Sequence, residues 1–228
     1  MILWLIGLLL LSPIRQVENV RFRFVSPPQD IFKNYENHNF KQRIFVWKGK
    51  IFSEVHNVDF QDLDLHFRIF KNDSYIRTLS DPVRDILNDL PLQTMTLREF
   101  IQHVARLMRD KIHYSEEDLP QDAATILLNG KANCVGYSTL FSTLLEAVGI
   151  NNKYVRGFYL KQDGDKSWIP IPHRWVEVSL VNGRRYFYDP QHHTFSSQYV
   201  VVKDDIDFTK VKKFRVYLVK KSKVILNN

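Results

Sequence analysis

The spacing of apolar residues changes twice along this chain, and each change marks a change of element type. Residues 21–79 carry short alternating runs without a sustained helical period. In "RIFVWKGKIF", Lys48, Gly49 and Lys50 separate two apolar stretches, which predicts a hairpin. "DLHFRIF" puts Leu65, Phe67 and Ile69 on one side, as in a half-buried strand. From Ser80 the period becomes helical. Asp81 reads as an N-cap with Pro82 at the first helical position, followed by Val83, Ile86, Leu87 and Leu90 on one face. Thr96 and Glu99 form a capping box ahead of a stripe of Leu97, Phe100, Ile101, Val104, Leu107 and Met108. "DAATILLNG" predicts a short helix stopped by Asn129 and Gly130. A further long helix opens after Asn133 on Tyr137, Leu140, Phe141, Leu144, Leu145 and Val148, and ends at Gly149.

Beyond Gly149 the period falls to two. "KYVRGFYL", "HRWVEVSLV" and "RRYFYDP" predict strands, the last two joined by a turn at Asn182 and Gly183. Helices followed by a largely antiparallel sheet give an α+β fold, with the helices packed on the sheet. Three regions follow from the pattern. Residues 1–14 are an apolar leader or anchor, 15–79 a strand-rich N-terminal extension, and 80–228 the main domain. No internal repeat or low-complexity tract is visible.

Composition supports an ordered chain and narrows its partners. Of 228 residues, 44% are hydrophobic and 13% aromatic, enough for a substantial core. The net charge of +7 is mostly scattered. Its densest part, Lys210, Lys212, Lys213 and Arg215, then Lys220, Lys221 and Lys223, alternates with apolar residues, as on the solvent side of terminal strands. With no zinc-ligand spacing or helix-turn-helix pattern beside it, nucleic acid is not an expected partner. The apolar run at residues 2–11 reaches about 15 Å as a helix, half of the ~30 Å hydrocarbon core. That length suits a signal peptide, although no basic residue precedes it and no A-x-A-like site follows. A membrane tether through residues 2–14 and a buried N-terminal helix are the alternatives. The expectation is export, to a periplasmic, secreted or membrane-anchored location.

Candidate chemistry centres on Cys134, the sole cysteine, which excludes an intrachain disulfide. It lies beside the apolar stripe of its helix, and free cysteines often simply pack there. At a helix start, however, unpaired N–H groups and the positive dipole end stabilise a thiolate. Such a nucleophile needs a base and a group to orient that base. His173, expected to begin a strand after "WIPIP", and Asp189, at the end of the next strand, are the candidates. Hairpin register tests the pair. A two-residue loop would put His173 and Asp189 on opposite faces. A three-residue loop of Val181, Asn182 and Gly183, with Gly183 left-handed, sets Asp189 opposite Trp175 and on the His173 face.

Cys134 in "GKANCVGYSTLFSTLLEAVGI", His173 in "HRWVEV" and Asp189 in "YFYDP" resemble the three signature blocks of the transglutaminase-like superfamily. The resemblance runs from about Asp81 to Pro190 and includes "IHYSEE" and "KYVRGFYL". Ala132 departs from it, since many members carry Gly there. The resemblance implies a papain-like core with the nucleophile at a helix N-terminus. It also implies a Cys134, His173, Asp189 triad acting on amide or ester carbonyls through a thioester, as a hydrolase or acyltransferase. Protease or amidase action is expected over cross-linking, because water is the default acceptor. The substrate would be a protein or peptide, with no metal and no organic cofactor required. For a second oxyanion donor Gln121 and Asn129 are the candidates, and Trp175 is read as either a shield of the His–Asp pair or plain core.

Two readings compete with the enzyme: a catalytically silent binding or scaffold module on the same fold, and a basic surface for an anionic polymer. His192 and His193 are placed in a surface loop, with substrate contact as the minor alternative; Tyr137 is placed in the core.

Overall fold

The computed structural model describes residues 15–28, 30–58, 63, 65–164 and 166–226. The apolar run at residues 2–11 therefore lies outside the described residues. Among them, no helix is long and apolar enough to cross a membrane.

The element order is β1 (Arg15–Val25), β2 (Tyr35–Glu36), β3 (Phe40–Trp47), β4 (Lys50–Val58), α1 (Asp73–Ile76), α2 (Asp81–Asn88), α3 (Leu97–Lys111), β5 (His113–Tyr114), α4 (Ala123–Asn129) and β6 (Lys131–Ala132). Then follow α5 (Cys134–Ala147), β7 (Asn151–Gln162), β8 (Ser167–Ser179), β9 (Arg185–Tyr188), β10 (Tyr199–Val201) and β11 (Arg215–Leu226). Nine strands form one antiparallel sheet in the order β10-β7-β8-β11-β1-β4-β3-β2, with β9 on β8. The fold is thus α+β. Through β11, the early strands β1 to β4 continue the same sheet as β7 and β8.

Local chemistry explains the boundaries. Lys48 and Gly49 both take positive φ, 49° and 69°, and make the tight β3–β4 turn that pairs Trp47 with Lys50. Ser80, one residue before the expected cap, precedes α2, so Pro82 falls within its first turn. The capping box of Thr96 and Glu99 is formed at α3. Gly130, at φ 65°, ends α4 in the left-handed conformation.

One expected strand is absent. Residues 65–70 make a single bridge, Arg68 with Thr96, instead of a ladder. The alternation was correct about side, since Leu65 and Ile69 are buried. The backbone, however, serves α3: the carbonyls of Phe67 and Leu65 accept from the N–H groups of Leu97 and Arg98 at 2.7 and 3.1 Å. They satisfy donors that a helix start leaves open.

Helix α5 is the axis of the main core. Leu140, Phe141, Leu144 and Leu145 are fully buried and pack with α2, α3, α4 and the inner residues Val176, Val178, Tyr186 and Tyr188 of the sheet. Each such side chain contributes about 1.5–3 kcal/mol by leaving water. Leu144→Ala should therefore lower stability by about 2–5 kcal/mol, read as a lower urea midpoint with an unchanged slope. An unmoved midpoint would show that the site relaxes freely.

The alternate residues of β8, including Trp175, face a second cluster with Phe40, Phe187, Phe195 and Tyr199. Buried Glu177 anchors the segment around β2, accepting from the Tyr35 hydroxyl and from Asn37 at 3.2 Å, and pairing with Lys153 and Arg185.

β8 begins at Ser167, six residues before the expected start at His173, and so includes Pro170 and Pro172. It pairs with β7 from Trp168 to Ser179. On its other edge it meets β11 only at Ser167 and Trp168, and β9 only from Val176 onward. Between these, residues 169–175 have no strand neighbour on that edge among the described residues. The prolines fit this gap, because they lack the N–H a ladder would require.

Candidate active site

The first turn of α5 fills part of the gap in the sheet. Ser138 Oγ donates to the Arg174 carbonyl at 3.1 Å. Arg174 reaches back from β8, its guanidinium donating to the Val135 carbonyl and to Thr139 Oγ1. Cys134 is the first residue of α5, and Asn133 caps that helix by accepting from the N–H groups of Val135 and Gly136. These contacts hold the Cys134 thiol against the backbone of Arg174 and beside the ring of His173. The thiol is partly exposed.

The β8–β9 register is the one the triad geometry requires. Val176 pairs with Tyr188 and Ser179 with Arg185. The loop holds Val181, Asn182 and Gly183, with Gly183 at φ 79°. Asp189 then falls on the same side of β8 as His173, and its Oδ2 lies 2.7 Å from His173 Nε2. His173 Nδ1 is left for the thiol. Asp189 is fully buried and receives five donors. Oδ2 takes His173, His192 Nδ1 at 2.6 Å and the Tyr199 hydroxyl at 2.5 Å. Oδ1 takes the N–H groups of Gln191 at 2.9 Å and His192 at 3.4 Å.

Charge follows from this arrangement. Burial would push the Asp189 carboxyl up, but the charge and hydrogen bond of His173, joined by His192, hold it well below the usual carboxylate range. Burial would lower His173, yet Asp189, and then Cys134, raise it to about 9. Burial would raise the Cys134 thiol, but the hydrogen bond and charge of His173, with the Arg174 N–H, bring it below its ordinary value. These shifts move the pair toward thiolate and imidazolium, beside a carboxylate.

The remaining candidates separate. Trp175 is wholly buried beneath the site, its ring centroid 6.3 Å from that of His173 at an interplanar angle of 25°. Gln121 builds the entry to α5: Oε1 accepts from the Asn133 N–H at 3.1 Å, and Nε2 donates to the Leu119 carbonyl at 2.8 Å. Asn129 sits exposed at the end of α4. Tyr137 is in the core, its hydroxyl donating to the Ile112 carbonyl at 2.8 Å. Half-exposed Tyr114 pairs in register with Ala132, two residues before the cysteine.

His192 and Tyr199 are the residues that sequence reasoning missed. His192 lies in the expected loop and is partly exposed, but its ring is turned back onto Asp189 and lies 4.5 Å from the Tyr159 ring. An Asp-Pro pair with a histidine three residues after the Asp was the available signal, since Asp often bonds the N–H two residues on. His173, Asp189 and His192 also form a set whose ligand atoms lie within 4.8 Å of one another. Their contacts are those of a hydrogen-bonded cluster centred on the carboxylate.

Residues 84–190 match the sequence profile of the transglutaminase-like superfamily, and this stretch contains Cys134, His173 and Asp189. No curated protein matches the chain. Three solved structures are similar in outline. One, from Cytophaga hutchinsonii and provisionally described as a cysteine protease, is 11% identical, with 94% of this chain and 91% of that chain aligned at a TM-score of 0.47. The periplasmic domain of TgpA from Pseudomonas aeruginosa, bound to ethylmercury, is 14% identical over 77% of this chain and 73% of its own, at 0.41. A structure described as a TGase is 12% identical over 74% and 48%, at 0.39. At these scores the three carry no argument about activity.

Proposed function

We propose, from the transglutaminase-like segment at residues 84–190, that the protein is a thiol hydrolase or acyltransferase of peptide-like amides. The observation that carries this reading is the meeting of the Cys134 thiol, the His173 ring and the fully buried, five-donor Asp189 at one gap in the sheet. Cys134 Sγ attacks the carbonyl carbon, and the negative charge moves to the carbonyl oxygen at the start of α5, where the Cys134 N–H and the helix dipole favour it. The C–N bond breaks as His173 gives its proton to the leaving nitrogen, leaving a thioester on Cys134. Neutral His173 then takes a proton from water or an amine, which attacks the thioester and frees the thiol. Asp189 holds the ring and stabilises its charged form throughout. Water as acceptor makes the enzyme a protease or amidase, and an amine makes it a cross-linker; hydrolysis is the favoured outcome. The apolar run at residues 2–11 supports a site of action outside the cytoplasm.

Iodoacetamide tests the thiol. At pH 6, Cys134 should alkylate about tenfold faster than free cysteine, as a thiolate of lowered pKa does. A rate no faster than that of a model thiol across pH 5–8 would favour a catalytically silent module. Mass spectrometry of products formed from acyl and peptide panels, with and without added amine, separates the two acceptors.

A further inference from the structure

We propose that His192 and Tyr199 are positioning residues of this site: both donate to the Asp189 oxygen that His173 uses, and so fix the carboxylate and temper its pull on the His173 ring. The inference rests on the thiol reading above.

Three side-chain donors converge on Oδ2, at 2.7, 2.6 and 2.5 Å. An ionised carboxylate only accepts, so His192 must carry a proton on Nδ1 and the Tyr199 hydroxyl must point at the oxygen. Tyr199 keeps that proton, because burial and the nearby Asp189 charge push it well above the ordinary phenol range. The hydroxyl in turn lies 3.1 Å from His192 Nδ1, which closes the cluster. Each donor withdraws part of the negative charge that His173 would otherwise face alone.

The surroundings fix these donors. The Asp189 N–H donates to the Thr194 carbonyl at 2.9 Å, closing a loop in which His193 holds φ 58°. The closed loop folds the His192 ring back to the aspartate that begins it. Tyr159 flanks that ring, and Phe195 lies 4.1 Å from the Tyr199 ring, centroid to centroid. The titratable and charged groups facing the cluster are His173 of β8, Cys134 of α5, Tyr159 of β7, Tyr188 of β9, Tyr199 of β10 and His193 of the loop itself; Arg109 of α3 bears on His193. His192 is the member open to water: its side chain is 31% exposed, against 5% for His173 and none for Asp189.

The test is the pH dependence of Cys134 alkylation in the full chain. Wild type should accelerate in two steps, one when Cys134 ionises beside charged His173 and one when His173 deprotonates near about 9. His192→Phe keeps a ring against Tyr159 and removes the donor. Its second step should move up by about half a unit to one unit, because Asp189 then pulls harder on the His173 proton. His192→Asn places an amide N–H near the old Nδ1 position and should restore the wild-type step. Tyr199→Phe removes one hydroxyl from a buried ring and should shift the step in the same direction; it carries the test if His192→Phe does not fold. Unmoved steps in both phenylalanine variants, or an asparagine variant that behaves like phenylalanine, would overturn the inference while the thiol reading stands. A single step in wild type at an ordinary cysteine pKa would overturn both.

Discussion

Asp189→Asn should reduce turnover by roughly 10³–10⁴-fold, the scale seen when a triad carboxylate is neutralised. The reason lies in what raises His173. Burial alone lowers a histidine, and His173 reaches about 9 only because the Asp189 charge and hydrogen bond outweigh that burial. With Asn in place the ring becomes neutral at pH 7, Cys134 loses the cation that stabilises its thiolate, and the first alkylation step moves to higher pH. Stability should respond with a definite sign. In wild type the folded His173 binds its proton more tightly than the unfolded chain, whose value is about 6.5. Its contribution is therefore full below ~6.5 and is lost as pH rises through about 9. The Asn variant should lack that loss. Urea midpoints measured from pH 6 to 10, with kcat/KM and the alkylation profile, check each part. A variant retaining a tenth of wild-type turnover would remove Asp189 from the mechanism.

The largest expected loss of stability comes from Gly157→Ala. Gly157 faces His173 across the β7–β8 ladder. A Cβ there would lie 2.1 Å from the Val200 carbonyl oxygen and 2.6 Å from Trp175 Cη2. Neither neighbour can yield cheaply. The Val200 carbonyl belongs to β10, paired to β7 at this point, and Trp175 is wholly buried. Overpacking costs about 1–3 kcal/mol where side chains adjust; a backbone clash inside a ladder should exceed about 3 kcal/mol. Since β10 carries Tyr199, the same change should slow Cys134 alkylation in whatever protein remains folded. A soluble variant with the wild-type urea midpoint would contradict the packing of β10 on β7.

Much of this architecture was legible because local chemistry and tertiary environment agree. The stripe from Tyr137 to Val148 and the cap at Asn133 gave α5 its limits, since the same residues both prefer a helix and bury one face. The three-residue loop ending in left-handed Gly183 was open to reasoning because only one register brings Asp189 to the His173 side. What stayed hidden depends on contacts distant in sequence. Residues 65–70 alternate like a strand, yet their carbonyls are claimed by the start of α3. Pro170 and Pro172 argued for a strand beginning at His173, but the missing neighbour on that edge of β8 admits both into the strand. His192 looked like loop surface, because nothing local says that a chain leaving Asp189 will turn its ring back onto that residue. The role of Gln121 could not be read either, since its Oε1 meets the Asn133 N–H from the far side of α4.

The gap along β8 has a consequence for self-association. An interruption inside a sheet exposes backbone donors and acceptors that a strand from another molecule could adopt, and such templates seed aggregation. Pro170 and Pro172 remove two donors from that row, and α5 occupies the stretch at Arg174. A foreign strand would find unmatched carbonyls and one end already closed. The opening that admits Cys134 to its partners is thereby kept from becoming adhesive between copies of the chain.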